Sequence, residues 1–120
     1  MPTHHITVHG TMPGMNEIIA ASKKHYAAYA KLKKQHTENV IQSAEGLPEI
    51  RAAHFAFDWY AKDKRRDPDN IASGVKFLLD GLVEAGVLPN DGWKEVLSIT
   101  HTFHTDKAQP RVEVSIYTKG

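Results

Sequence analysis

Apolar and polar residues alternate strictly in one stretch of the chain and recur with helical spacing in another, and these two patterns anchor the predicted elements. Between Arg51 and Tyr60, Ala53, Phe55, Phe57 and Trp59 share one face while His54, Ala56, Asp58 and Tyr60 share the other, which predicts a strand central in its sheet. From Pro68 to Ala85, a projection at 100° per residue gathers Ile71, Val75, Leu78 and Leu82 on a narrow arc, the core face of a helix closed by Gly86. Asp69, Ser73, Lys76, Asp80 and Glu84 form the opposite arc.

Weaker signals fill in the rest. His4 to His9 carries β-branched Ile6, Thr7 and Val8 and runs into Gly10, a first strand turned by Thr11 to Gly14. Asn16 to about Ala44 is rich in Ala, Lys, Glu and Gln, one long helix or two joined near Ser22, stopped by Gly46 and Pro48. Glu95 to Thr105 and Arg111 to Thr118 are β-rich, and Asp106 to Pro110 between them predicts a hairpin. The expected fold class is α+β: a mixed sheet of about four strands with two main helices packed on it. With 120 residues and 41% hydrophobic content, residues 1–120 form one domain, of a size at which a homodimer commonly adds buried surface.

Gly74 and Gly81 sit inside the second helix, where each costs roughly 1 kcal/mol relative to Ala. With Ala85 they form a small-residue strip that predicts close approach of another backbone, either the sheet or the same helix of a second subunit.

Charge changes the picture locally rather than globally. Fifteen Lys and Arg against fourteen Asp and Glu leave a formal net charge of +1, so a polyanion partner must be met by segregated charge. Lys23, Lys24, Lys31, Lys33 and Lys34 crowd one segment, and Lys62, Lys64, Arg65 and Arg66 another. The absence of cysteine excludes a disulfide scaffold, a thiolate zinc site and a cysteine nucleophile. No stretch approaches the roughly 18 apolar residues of a membrane span, and Met1 to Ile6 lacks the regions of a signal peptide. The expectation is a soluble, cytoplasmic protein without a membrane partner.

Candidate chemistry centres on Arg65-Arg66-Asp67-Pro68-Asp69-Asn70 and on Asn90-Asp91. Carboxylates can hold a divalent ion that activates water at a phosphodiester, while arginines pin the phosphate backbone. The same residues also suit a helix start and a turn, since Asp and Asn cap free N–H groups, Pro fits a first helical turn, and Asn-Asp-Gly is strong turn chemistry. Lys76 can contact a phosphate or simply pair with Asp80 at i+4. A calcium loop over Asp67 to Ile71 fails, because Ile71 falls on an oxygen-ligand position and no glycine follows. His4 with His5, and His101 with His104, stand at odd separations that point to opposite faces of a strand, so neither pair forms a joint metal site. Tyr26, Tyr29, Trp59 and Trp93 are read as core or interface residues before base-stacking ones.

Taken in order, Arg-Arg-Asp-Pro-Asp-Asn, Lys76, Leu79-Asp80-Gly81-Leu82, Ala85-Gly86-Val87 and Asn90-Asp91 resemble the RusA family of Holliday junction resolvases, closely over Lys64 to Val96 and more loosely at Pro13-Gly14-Met15-Asn16-Glu17. The resemblance implies a dimeric α+β endonuclease that cuts four-way DNA junctions by paired nicks with Mg²⁺, or Mn²⁺ in its place, and no organic cofactor. It maps the family's three metal-binding aspartates onto Asp67, Asp69 and Asp91 and its essential lysine onto Lys76. Lys64, Arg65 and Arg66, with Lys31, Lys33, Lys34 and Asn16, are then read as DNA contacts. Two departures stand out. The family's lysine usually follows the acidic motif about one turn sooner, although spacings of four and seven return to the same helix face, and Asn90 stands where relatives often have a second Asp. A DNA-binding module without chemistry and a flap- or fork-specific nuclease are the alternatives.

Overall fold

The computed structural model describes residues 2–118. These form strand β1 (His4–His9), helices α1 (Met15–Lys24) and α2 (Tyr26–Ser43), strand β2 (Ala53–Ala61), helices α3 (Pro68–Ala72) and α4 (Val75–Glu84), and strands β3 (Val96–Thr105) and β4 (Arg111–Thr118). The four strands make one mixed sheet in the order β1-β4-β2-β3. Strand β4 is antiparallel to both β1 and β2, while β3 runs parallel to β2 at the edge. The α+β class and the internal place of β2 agree with the sequence reading. Among the described residues, no helix is long and apolar enough to cross a membrane.

The hairpin expected between β3 and β4 does not form. The chain leaves β3, passes the end of β2 with the Asp106 N–H donating to the Ala61 carbonyl at 2.7 Å, and returns as β4 on the far side. Burial explains the choice of partner. Val112, Val114 and Ile116 of β4 are fully buried and lie against Trp59, Phe57 and Phe55 on one side and Val8, Ile6 and His4 on the other, a setting only an internal strand can offer.

Both long helices are broken. His25 adopts an extended conformation, φ −172° and ψ 143°, closing α1 and capping α2 by accepting a hydrogen bond from the Ala27 N–H on Nδ1. The second break falls at Ser73–Gly74, where the chain passes so close to the sheet that a Cβ on Gly74 would lie 2.9 Å from Met12 Cβ and 3.3 Å from the Trp59 ring. Ile71, Leu78 and Leu82 are buried as projected, and Phe77 and Leu79 widen the apolar arc, so α4 is enclosed on more sides than an amphipathic surface helix.

Gly81 is buried against α2 of the same chain rather than against the sheet. Its missing Cβ would lie 2.5 Å from Val40 Cβ, so glycine is what lets α4 lie against α2 of the same chain. Gly81→Ala is expected to lose about 1–3 kcal/mol of stability through overpacking, more than alanine's helical preference returns, and Gly81→Leu to lose more. The urea midpoint measures this; an unchanged midpoint for Gly81→Leu would contradict the packing.

The helices cover β1, β4 and β2 but stop short of β3. By register Ile99, His101 and Phe103 stand beside Phe55, Phe57 and Trp59 on the core side, yet Ile99 keeps 41% and Phe103 38% of its surface exposed. This ten-residue edge strand contains no Lys, Arg, Asp, Glu, Pro or Gly, the residues that usually blunt an edge.

Candidate metal and DNA site

Strand β2 delivers the chain through Lys62 to Arg66 into α3, and the ends of the motif are anchored. The Arg66 guanidinium donates from Nη1 to the Met12 carbonyl at 3.1 Å and lies 3.6 Å from Glu17 Oε2. Asn70 accepts at Oδ1 from the Asn16 N–H at 3.1 Å and packs so tightly on Gly14 that a Cβ there would lie 2.6 Å from its oxygen. The two stretches that resemble the resolvases, distant in sequence, therefore touch through Arg66, Asn70 and the start of α1. Arg66 is held internally by these bonds, and Asn16 contributes its backbone here.

Between those anchors lie the two carboxylates. Asp67 occupies the N-cap position of α3, extended at φ −70° and ψ 153°, but its side chain makes no capping hydrogen bond, and Pro68 fills the first helical position. Asp69 is exposed, and among the described residues its carboxylate accepts only from the neighbouring Asn70 N–H, at 2.9 Å. The capping role that would have explained these residues without chemistry is thus not exercised by Asp67.

Asp91 lies elsewhere. It is exposed in the turn that precedes β3, where the Gly92 N–H donates to Glu95 Oε1 at 3.1 Å. That turn adjoins the beginning of β2, since the Ala53 N–H donates to the Glu95 carbonyl at 2.9 Å and the Ile50 N–H to the Val87 carbonyl at 2.7 Å. Asp67 adjoins the opposite end, sharing a pocket with Ala61, Phe103 and Thr105. The nine-residue β2 between them is roughly 26 Å long, and the α3–α4 layer runs back over a similar distance. Among the described residues no three Asp, Glu or His side chains gather where one ion could bind them. The aspartates of a single chain do not fit one ion held by all three.

Lys76 is exposed on α4, its Nζ 3.8 Å from Asp80 Oδ2, and Lys33 of α2 approaches the same oxygen at 3.6 Å. The i+4 pairing weighed from sequence is present; Asp80 Oδ2, buried and accepting no hydrogen bond among the described residues, is served by two long contacts from ammonium groups. Lys31, Lys34 and Lys64 are exposed, and Arg65 pairs at 3.8 Å with Asp63. Trp59 is core, whereas Trp93 and Tyr26, 98% and 84% exposed, are not.

No protein-family model and no curated protein matches the chain.

Sequence reading missed Arg111. It donates to Asp106 and Glu113, each at 2.8 Å, and lies 3.8 Å from the centre of the Tyr60 ring, on the sheet face away from the helices. The bond from Arg111 holds the Asp106 carboxyl below its ordinary range. The available signal was Arg111 and Glu113 two apart on one strand face. His104 Nε2 sits 2.9 Å from Asp58 Oδ1 on this open face, whereas His101 accepts from Trp59 Nε1 at 2.9 Å on the core side, where burial lowers its pKa. These two histidines face apart, as their odd spacing predicted.

Proposed function

We propose that the chain is a RusA-like, Mg²⁺-dependent endonuclease for four-way DNA junctions, acting as a twofold pair of copies joined along β3. One observation carries this reading: Asp67 and Asp69 lie at one end of an uncharged, uncovered edge strand, and Asp91 lies at the other. An antiparallel copy of β3 reverses that separation, so the partner's Asp91 comes toward Asp67 and Asp69, twice over, at the two ends of the paired strands.

The register follows from the exposed side chains. Residues directly opposite in an antiparallel pair project to the same face, so a twofold at Thr100 sets Ile99 against the partner's His101 on the helix side and brings Leu97, at the irregularity where β3 meets β2, toward the partner's Phe103. Shifting by one residue would place apolar side chains opposite polar ones on the wrong face. The same register brings Lys94 toward the partner's Asp106.

Asp67 and Asp69 of one protomer with Asp91 of the other would hold the ion, which supplies charge neutralisation and an activated water at the phosphodiester. The protein's own part is positioning. Lys76, 58% exposed, turns from Asp80 to meet a phosphate, while Lys33 stays 3.6 Å from the same Asp80 oxygen and keeps that buried carboxylate paired. Lys31, Lys34, Lys64 and Arg65 hold the DNA backbone, and twofold symmetry presents one site to each of two strands.

Incubation with labelled four-way junction, fork and linear duplex, with and without Mg²⁺, tests this directly. Paired nicks in the junction only with the metal are expected. Preferential cutting of the fork would favour the flap- or fork-nuclease alternative; retained binding with no metal-dependent product would favour the DNA-binding module.

A further inference from the structure

Trp93 is the most exposed large apolar side chain of the described residues, at 98%, and it stands two residues after Asp91 and three before β3. At the other end of β3 lies an open pocket of about 390 Å³, lined by Ala61, Pro68, Ile71 and Phe103 and also by the charged side chains of Asp63, Lys64, Arg66 and Asp67. We propose that Trp93 of each protomer seats in this pocket of its partner. The inference rests on the β3 pairing proposed above and requires neither metal nor DNA.

Three features favour this occupant. The twofold at Thr100 that matches Leu97 with the partner's Phe103 also carries the residues preceding β3 past the end of the partner strand, where the pocket opens beside Phe103 and Thr105. Most of the pocket's lining surface is apolar, which favours an indole leaving water, and the carboxylates of Asp63 and Asp67 in the same lining can accept its N–H. The Lys64 ammonium in the lining suits the face of a tryptophan. A seated Trp93 also fixes the Asp91–Gly92 turn against the segment that holds Asp67. It is then a positioning residue for the shared carboxylate set, as well as an anchor of the pair.

The test uses the full chain without metal or DNA. Sedimentation equilibrium of the wild type and Trp93→Ala is expected to show the variant pairing at least about 30-fold more weakly, the loss typical of a buried tryptophan anchor. Because Trp59 is only 4% exposed, a blue shift of tryptophan emission with rising protein concentration reports Trp93 and is expected to follow the pairing curve. The chain has no cysteine, so Thr100→Cys reports the β3 twofold separately by forming a disulfide-linked dimer, while Thr7→Cys on the opposite edge does not. A Thr100→Cys cross-link with unchanged emission, or equal affinity for Trp93→Ala, overturns the pocket assignment and leaves the β3 pairing standing. No cross-link and no self-association overturns both. Emission that changes only on adding four-way DNA assigns Trp93 to the nucleic acid and also overturns the proposal.

Discussion

Asp69→Asn is expected to leave binding of a four-way junction within about threefold of wild type while metal-dependent cutting falls by about 10³-fold or more. The asymmetry follows from where Asp69 stands. It is exposed, the one side-chain hydrogen bond it makes among the described residues is that accepted by Oδ1 from the Asn70 N–H, and an amide oxygen can accept that bond equally well. The substitution therefore leaves α3 intact and removes one negative charge, which if anything favours a polyanion. What disappears is a charge proposed to hold the divalent ion. Parallel gel-shift and cleavage assays at several Mg²⁺ concentrations measure both effects. Undiminished cutting by Asp69→Asn would remove this residue from the proposed site, and loss of binding together with cutting would assign it to DNA contact.

Ile99→Lys is expected to convert the protein to a monomer and to abolish cutting without unfolding it. In the single chain Ile99 is 41% exposed on an edge strand, so the folded monomer tolerates a longer polar side chain whose stem can lie along the sheet. In the proposed pair it sits one position from the twofold axis, opposite the partner's His101, where two copies of an ammonium would be desolvated close together. An inward charge on an edge is also how natural sheets refuse a second strand. Sedimentation gives the mass, circular dichroism the fold, and the junction assay the activity. A dimeric, active Ile99→Lys protein would rule out β3 as the joining edge.

The elements were more legible than their partners. Strict alternation in Ala53 to Trp59 identified β2 and its buried face because burial on one side imposes that period. The five residues from Asp106 to Pro110 look like a hairpin loop, but strand pairing is set by which surfaces need covering on both sides, and that is non-local. A join near Ser22 was legible, and the break falls three residues later at His25 with a local cap on the Ala27 N–H, whereas the break at Gly74 answers to Met12 and Trp59, both distant in sequence. Gly81 advertised a close approach through the absence of a side chain, yet only packing shows that Val40 is what approaches. At the candidate site, the order and identity of Asp67, Asp69, Lys76 and Asp91 were plain, while their separation depends on the length of β2 and on which end of it each loop adjoins.

Mixing two inactive variants measures most directly whether the carboxylate set is shared between copies. In a mixed pair of Asp69→Asn and Asp91→Asn protomers, one site carries both substitutions and the other, built from Asp67 and Asp69 of one chain and Asp91 of the other, carries neither. Equal amounts, exchanged to equilibrium, should thus recover about a quarter of the wild-type sites, half the pairs being mixed. Cutting that returns to roughly that fraction is the expected result; a mixture as inactive as either variant alone would contradict assembly of the site across two chains.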